Sequence, residues 1–400
     1  MLAIKGGKIY TITKGVIKKG TVLVDDGKIV KVGAKVQVPE GAEVYDATGK
    51  VVMPGLIDAH CHIGINEEGS GQSGSDGNEA TDPSTPQMRA IDGIKANAEE
   101  GGLTTAVESG ITTVQILPGS ANVIGGTGVV VKTAPKKIAD DMVVRNPSGM
   151  KVAFGENPRR VYGQGMKKTP STRMGVAYVL RNQLMKTKLY MEKKEKAEQN
   201  EVEENGDDKK KEKAPDFDYK LEALIPVLKK EIPLRCHAHR ADDIAVAIRI
   251  AEEFDIDISW EHATEGHRLA EYVASKGIPA IFGPVLLGRG KWEMRELDFK
   301  TPKALYDAGV KMALQTDAIG RSIQFLPLAA AFAVKHGVPF EEALKTITIN
   351  SAEILGVADR VGSLEPGKDA DIRVLSGEPL DIQSHVELVL IDGKVEYKRE

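Results

Sequence analysis

Cysteine is scarce, with two among 400 residues. Two thiols cannot build a disulfide framework, so a reducing compartment is the default setting. Charge of one sign is also lacking: 54 Lys and Arg stand against 58 Asp and Glu, a formal net charge of −4. That balance supplies no basic surface for nucleic acid or an anionic membrane. No apolar run approaches transmembrane length, and the opening residues MLAIKGGKIYTITKG hold no sustained apolar stretch of the secretory kind. A Gly-x-Ser-x-Gly elbow is missing, and the glycine-rich PGSANVIGGTG (118–128) does not continue into the Gly-Lys-Ser/Thr of a phosphate loop. These absences leave a cytoplasmic protein that uses neither a serine nucleophile of that type nor a phosphate cradle.

What is present fits a folded enzyme-sized chain. Hydrophobic residues make up 41% and charged residues 28%, the balance of a globular protein with a substantial core. Residues 1–52 read as short Val- and Ile-rich strands punctuated by Gly-Lys and Asp-Gly turns, and the last stretch, from ADIRVLSG onward, repeats that texture. Chain ends often lie together, so residues 1–52 and 363–400 are expected to form one small β-sandwich. Between them, eight apolar strands alternate with helical stretches: GLIDAHCHIG, ITTVQILPG, GVVVKTA, MKVAFGE, IPLRCHAH, IDISWEHA, IPAIFGP and VKMALQTDA. This alternation predicts an α/β fold, a (β/α)8 TIM barrel over residues 53–362. A run of mixed charge near 191–216 reads as an exposed helix extension or mobile excursion. The segment 65–88 follows the first barrel strand and is a candidate lid or substrate loop.

Five of the eight histidines fall at the ends of these strands: His60, His62, His237, His239 and His262. Residues two apart on a strand share a face, which pairs His60 with His62 and His237 with His239. His262 ends the alternate series Ile256, Ile258, Trp260. Asp317 ends the last strand, and Glu156 ends MKVAFGE. Imidazoles and carboxylates converging at one barrel end suit a divalent cation, Zn²⁺ first, with Mn²⁺ or Fe²⁺ as alternatives. Cys61 and Cys236 sit beside these histidines, but alternation turns them outward as small buried apolar residues.

The combination of PGLIDAHCH, one His on each of two later strands, a last strand ending in TDA, and GSLEPGKDADIRVLSGEPLD resembles the amidohydrolase superfamily. PGSANVIGGTG, AFGENPRRVYG and CHAHRADDI are similar to imidazolonepropionase-related members. The resemblance implies that His60 and His62 bind the more buried metal, and that His237 and His262 bind a second. It implies that Asp317 touches metal and moves protons. Where many relatives place a carboxylated lysine between two metals, AFGENP offers Glu156, with Lys132 as a rival. A one-metal site of Glu156, His237 and His262 stays open.

The expected chemistry is hydrolysis of a C–N bond in an amide or cyclic amide by metal-activated water. Asp317 carries the proton, and His239 either stabilises an oxyanion or orients a ligand. A ring-amidine deaminase or a metal-dependent dipeptidase would use the same ligands, and a non-catalytic scaffold would have lost them. Arg159, Arg160, Tyr162 and Arg289 are candidates to receive a substrate carboxylate. The partners expected are a small-molecule substrate and no nucleic acid or membrane, with a homo-oligomer left open. A glutamate bridge carries its own test: activity should be independent of added bicarbonate, and a requirement for it would point to a lysine.

Overall fold

Val- and Ile-rich segments separated by tight turns form strands at both ends of the chain. The computed structural model describes residues 1–97, 101–202, 214–286 and 288–400. In chain order the first strands are β1 (Leu2–Tyr10), β2 (Val16–Asp25), β3 (Lys28–Gly33), β4 (Glu43–Asp46) and β5 (Val51–Pro54). The barrel strands follow as β6 (Leu56–Cys61), β7 (Ile111–Ile116), β8 (Ile124–Lys132), β9 (Val143–Ala153), β10 (Leu234–Ala238), β11 (Ile258–His262), β12 (Ala280–Phe282) and β13 (Met312–Leu314). The last three are β14 (Ile372–Leu375), β15 (Val386–Ile391) and β16 (Lys394–Lys398).

Both ends of the chain enter one sheet, ordered β16-β15-β14-β5-β1-β2-β3, with β4 also paired to β1. Register shifts on either side of Gly7 divide β1, so its first half pairs with β4 and its second with β5. A bulge bends a strand in this way by adding an unpaired residue. The result is one continuous sheet around its own apolar cluster, which includes Ile4, Ile9, Val22, Ile29, Ile372 and Leu390. It replaces the expected pair of stacked sheets.

All eight expected barrel strands form the second sheet, in the order β6 to β13. They are not all parallel: β8 runs antiparallel to both β7 and β9. Only residues 117–123 separate β7 from β8, too few for the dozen or more that a parallel crossover needs. The two ends of this sheet meet through Asp317 N to His60 O at 3.2 Å and His62 N to Ala318 O at 2.7 Å. The buried Asp58 carboxylate strengthens the seam by accepting from Thr316 N at 3.2 Å, from the Thr316 hydroxyl and from His60 N at 3.1 Å. The sheet is thereby nearly closed.

Helices cover this sheet with periodic apolar faces. In Ala241–Phe254, Ile244, Ala247, Ile248 and Ala251 recur at i, i+3, i+4 and i+7 and are buried. Each fully buried isoleucine there contributes about 1.5–3 kcal/mol. Asp242 and Asp243 suit the positive N-terminal end of the helix, and Asp255 ends it with φ 53°. The charged segment begins as the helix Arg173–Val202, against which Tyr219–Leu228 packs through Glu222, bonded to Tyr190 Oη and Lys194 Nζ at 2.6 Å each. Its remaining portion, 203–213, lies outside the described residues. Among the described residues, no helix is long and apolar enough to cross a membrane.

Lys132 at the end of β8 ties the two sheets together. Its Nζ lies 3.0 Å from Asp369, 2.8 Å from Asp371 and 3.2 Å from Asp392. Asp369 also pairs with Lys28 at 2.6 Å and Arg360 at 2.9 Å, so removing the Lys132 cation leaves the buried Asp371 carboxylate uncompensated, and Lys132→Met should cost about 3–5 kcal/mol in urea unfolding. A loss below about 1 kcal/mol would show that the cluster is solvated rather than buried.

Candidate metal centre

The strand ends bring six of the expected residues to one barrel mouth. His60 lies on β6, with His62 just beyond it. His237 is on β10, with His239 just past its end. His262 closes β11, and Asp317 follows β13. Ring centroids are 4.2 Å apart for His237 and His262, 4.9 Å for His60 and His262, and 4.9 Å for His239 and His262. Two groups have ligand atoms within 4.8 Å of one another: His60, His262 and Asp317, and His237, His239 and His262.

His262 arrives by a route that strand alternation does not provide. Trp260 and Ile258 belong to the apolar cluster shared with Ile244 and Ile248, whereas Glu261 bonds to His60. Alternation would leave His262 on the Trp260 side. Its φ of 74° turns the strand end so that the ring joins the mouth, which corrects the expected common face. Asp317 is also left-handed, at φ 55°, and its N–H bonds to His60 O. Non-glycine residues in this region are uncommon and are held by their surroundings.

The hydrogen bonds assign the imidazole tautomers. His60 Nδ1 faces Glu261 Oε2 at 2.8 Å, His62 Nδ1 faces Leu117 O at 2.7 Å, and His262 Nδ1 faces Gly283 O at 3.0 Å. A carbonyl or carboxylate oxygen only accepts, so each Nδ1 carries the hydrogen and each neutral ring leaves a lone pair on Nε2. Those lone pairs converge on an acceptor: His62 Nε2 lies 3.1 Å and His60 Nε2 3.7 Å from Asp317 Oδ1. His262 Nε2 is buried with no hydrogen-bond partner among the described residues. Burial lowers the pKa of His60 to about 4 and of His239 to about 3, and holds His237 and His262 well below the usual value.

Other expected residues do not reach this cluster. Glu156 lies past β9, where its N–H bonds to Glu293 Oε2 at 2.9 Å, and its carboxylate is in neither ligand group. Lys132 is engaged at the sheet junction. Arg159 bonds to Ser171 O, Arg289 bonds to Leu297 O, and Arg160 is exposed. Tyr162 is buried, and its hydroxyl donates to Asp82 O at 2.8 Å, which anchors the segment 65–88. Asn122 holds the same segment by donating to Glu79 O and Asp82 O. Cys61 and Cys236 are buried free thiols in the main apolar cluster, as alternation implied.

Several neighbours of the cluster were not expected. Lys151 is fully buried on β9, with Nζ 3.4 Å from His60 Nε2 and 3.0 Å from Pro118 O. Burial lowers its pKa to about 8. Its signal was a lysine inside an otherwise apolar strand, MKVAF, five residues before Glu156. Ser120 Oγ is 2.9 Å from His237 Nδ1, and Thr264 Oγ1 is 2.8 Å from His239 Nδ1. From the loop after β12, Glu293 Oε1 stands 3.9 Å from both His237 Nε2 and His239 Nε2, and Lys291 Nζ is 3.4 Å from His239 Nε2.

Comparison with known proteins agrees with this geometry. The sequence profile of the amidohydrolase family matches residues 51–397. The chain is 31% identical over 397 residues to the amidohydrolase tasK of Hapsidospora irregularis, covering 94% of this chain and 40% of that protein. It therefore spans about two-fifths of that relative's length. It is 28% identical over 408 residues to an imidazolonepropionase of Porphyromonas gingivalis, covering 92% of this chain and 85% of the other. A crystal structure of an amidohydrolase from Thermotoga maritima MSB8 has a TM-score of 0.92 and 45% identity, covering 100% of both chains.

The neutral imidazoles make the metal-free protein acid-sensitive. Folded pKa values of about 4 for His60 and about 3 for His239 lie below the ordinary 6.5, so the unfolded chain binds more protons as pH falls. Their contribution to stability is fully present above pH 6.5 and declines on acidification through 4. In chelator-treated protein, the urea midpoint should fall steadily across that window. A flat midpoint would mean that the folded rings take up protons as readily as those of the unfolded chain.

Proposed function

The chain belongs to the amidohydrolase family, and from that premise we propose that it hydrolyses a C–N bond of an amide or cyclic amide in a small molecule at a divalent-cation centre. The observation that carries this reading is the convergence of His60, His62 and His262 on Asp317 Oδ1, with the buried Nε2 of His262 left without a partner among the described residues. A cation resolves that arrangement, and imidazole with carboxylate is a donor set for Zn²⁺, Mn²⁺ or Fe²⁺. The residues present therefore fit the group. His60, His62 and Asp317 would hold one cation, and His237 with His262 a second. Lys151, with Nζ 3.4 Å from His60 Nε2, would serve both cations in place of Glu156: burial keeps part of its amine unprotonated, the form that adds carbon dioxide and releases a proton to give a carbamate. Bound cations of this kind acidify water and polarise a carbonyl.

The chain's own groups then have defined tasks. Asp317, held anionic, accepts the water proton on its carboxylate and returns it to the leaving nitrogen. Glu261 and Leu117 O fix the Nδ1–H tautomers of His60 and His62, keeping Nε2 directed inward. The segment 65–88, tied down by Tyr162 and Asn122, borders the mouth, where Asn66 Nδ2 donates to His62 O at 3.1 Å. Residues 53–362 are assigned to the barrel and residues 1–52 with 363–400 to its companion, except that Met53 and Pro54 end β5 and pair with β14 in the small sheet. Val361 packs with Ile57 and Ile281, and Leu364 with Ile4 and Ile372.

A second reading has its own observation. His237, His239 and His262 alone place three ligand atoms within 4.8 Å, a set sufficient for one cation. His239 would then be a ligand rather than a proton carrier.

Elemental analysis of protein purified without chelator distinguishes these readings: about two equivalents of metal support the bridged pair and about one the three-imidazole site. Under the bridged reading, reconstitution needs bicarbonate, Lys151→Ala loses it and Glu156→Gln does not. Equal metal content with and without bicarbonate would remove the carbamate. Asp317→Asn should retain metal yet lose about 10²–10⁴-fold in turnover on a panel of N-acyl amino acids and cyclic amides. Near-normal turnover would remove Asp317 as the proton carrier.

A further inference from the structure

Arg373 on β14 is 2% exposed, yet among the described residues no carboxylate pairs with it. Its Nη2 meets only Met53 Sδ at 3.2 Å and Pro379 O at 3.4 Å, and its Nε has no partner. Two other buried cations, Lys132 and Arg235, are treated differently. Lys132 has three aspartates, and Arg235 donates to Ser148 O, Ile354 O and Ser259 Oγ with Glu261 nearby. A guanidinium withdrawn from water without an anion or a full set of acceptors is costly, and such groups are normally paired. Burial alone brings the Arg373 pKa down to about 9.

This side chain lines a cavity of about 390 Å³ at the junction of the small sheet with the barrel helices Gly102–Glu108 and Leu326–Lys335. Arg399, His385 and Tyr397 also line it, and so does Ser384, whose buried Oγ has no partner. None of the metal-centre residues borders it. We propose that this cavity is a binding site for a small oxyanion, a carboxylate or phosphate group that takes the guanidinium of Arg373 and the hydroxyl of Ser384 as donors. Guanidinium presents a planar fork that matches either group. Glu108 and Asp381 also border the cavity and disfavour a long polyanion, which restricts the ligand to a small metabolite. The site stands on its own, whether or not the hydrolase reading holds.

Isothermal titration of the intact, metal-loaded protein with inorganic phosphate, and in parallel with acetate, tests this at constant ionic strength. The wild-type protein should bind with saturation, and Arg373→Met should bind about tenfold or more weakly. Binding at the metal centre would survive that substitution. Tighter phosphate than acetate identifies a phosphate ester as the ligand class, and the reverse a carboxylate. Equal binding by the wild-type protein and Arg373→Met, or none by either, overturns the site. Should Arg373→Met fail to fold, wild-type crystals soaked in selenate give the answer directly. Anomalous density against Arg373 is expected, and its absence overturns the proposal.

Discussion

Three buried imidazoles and the half-buried Asp317 carboxylate turn electron pairs toward one another at the barrel mouth, and most of the surrounding structure exists to hold them there. Glu261 behind His60, Leu117 O behind His62 and Gly283 O behind His262 each take the Nδ1 hydrogen, so the outward nitrogen has none to give. Asp317 adds a carboxylate to the same space. In water such an arrangement would dissolve into separate hydration shells. Inside a barrel it persists only with rigid support, and it favours whatever positive charge can enter.

That support comes from closure of the sheet. The seam between β6 and the end of β13 passes through His60 O, Asp317 N, His62 N and Ala318 O, so the bonds that close the barrel also position its ligands. Asp58 does the same from below, and burial raises its pKa to about 7. The antiparallel β8 has a local consequence at the site. Its short connection from β7 places Leu117 O, Pro118 O and Ser120 Oγ against His62, Lys151 and His237. A helical crossover at that point would have carried the chain away from the mouth.

Two buried lysines illustrate how little a side chain's identity says without its surroundings. Lys132 and Lys151 both interrupt apolar strands. Three aspartates keep the first charged, and burial beside His60 lowers the second to about 8. The first joins the two sheets, and the second faces the cluster of imidazoles. Strand membership could not separate them, because the aspartates that claim Lys132 come from residues far along the chain.

The sequence by itself determined the eight barrel strands, the union of both chain ends in one small β-domain, and the strand-end imidazoles with Asp317. These follow from period-two patterning and turn chemistry, which act over a few residues and can be read locally. It also determined that Cys61 and Cys236 face away from the mouth. The tertiary structure alone decided that Lys151 rather than Glu156 stands beside His60, that β8 reverses direction, and that His262 turns in through a left-handed strand end. The physical reason is common to all three. Each depends on which distant backbone or carboxylate supplies a hydrogen-bond partner, and that information is spread over the closed barrel rather than held in any one segment.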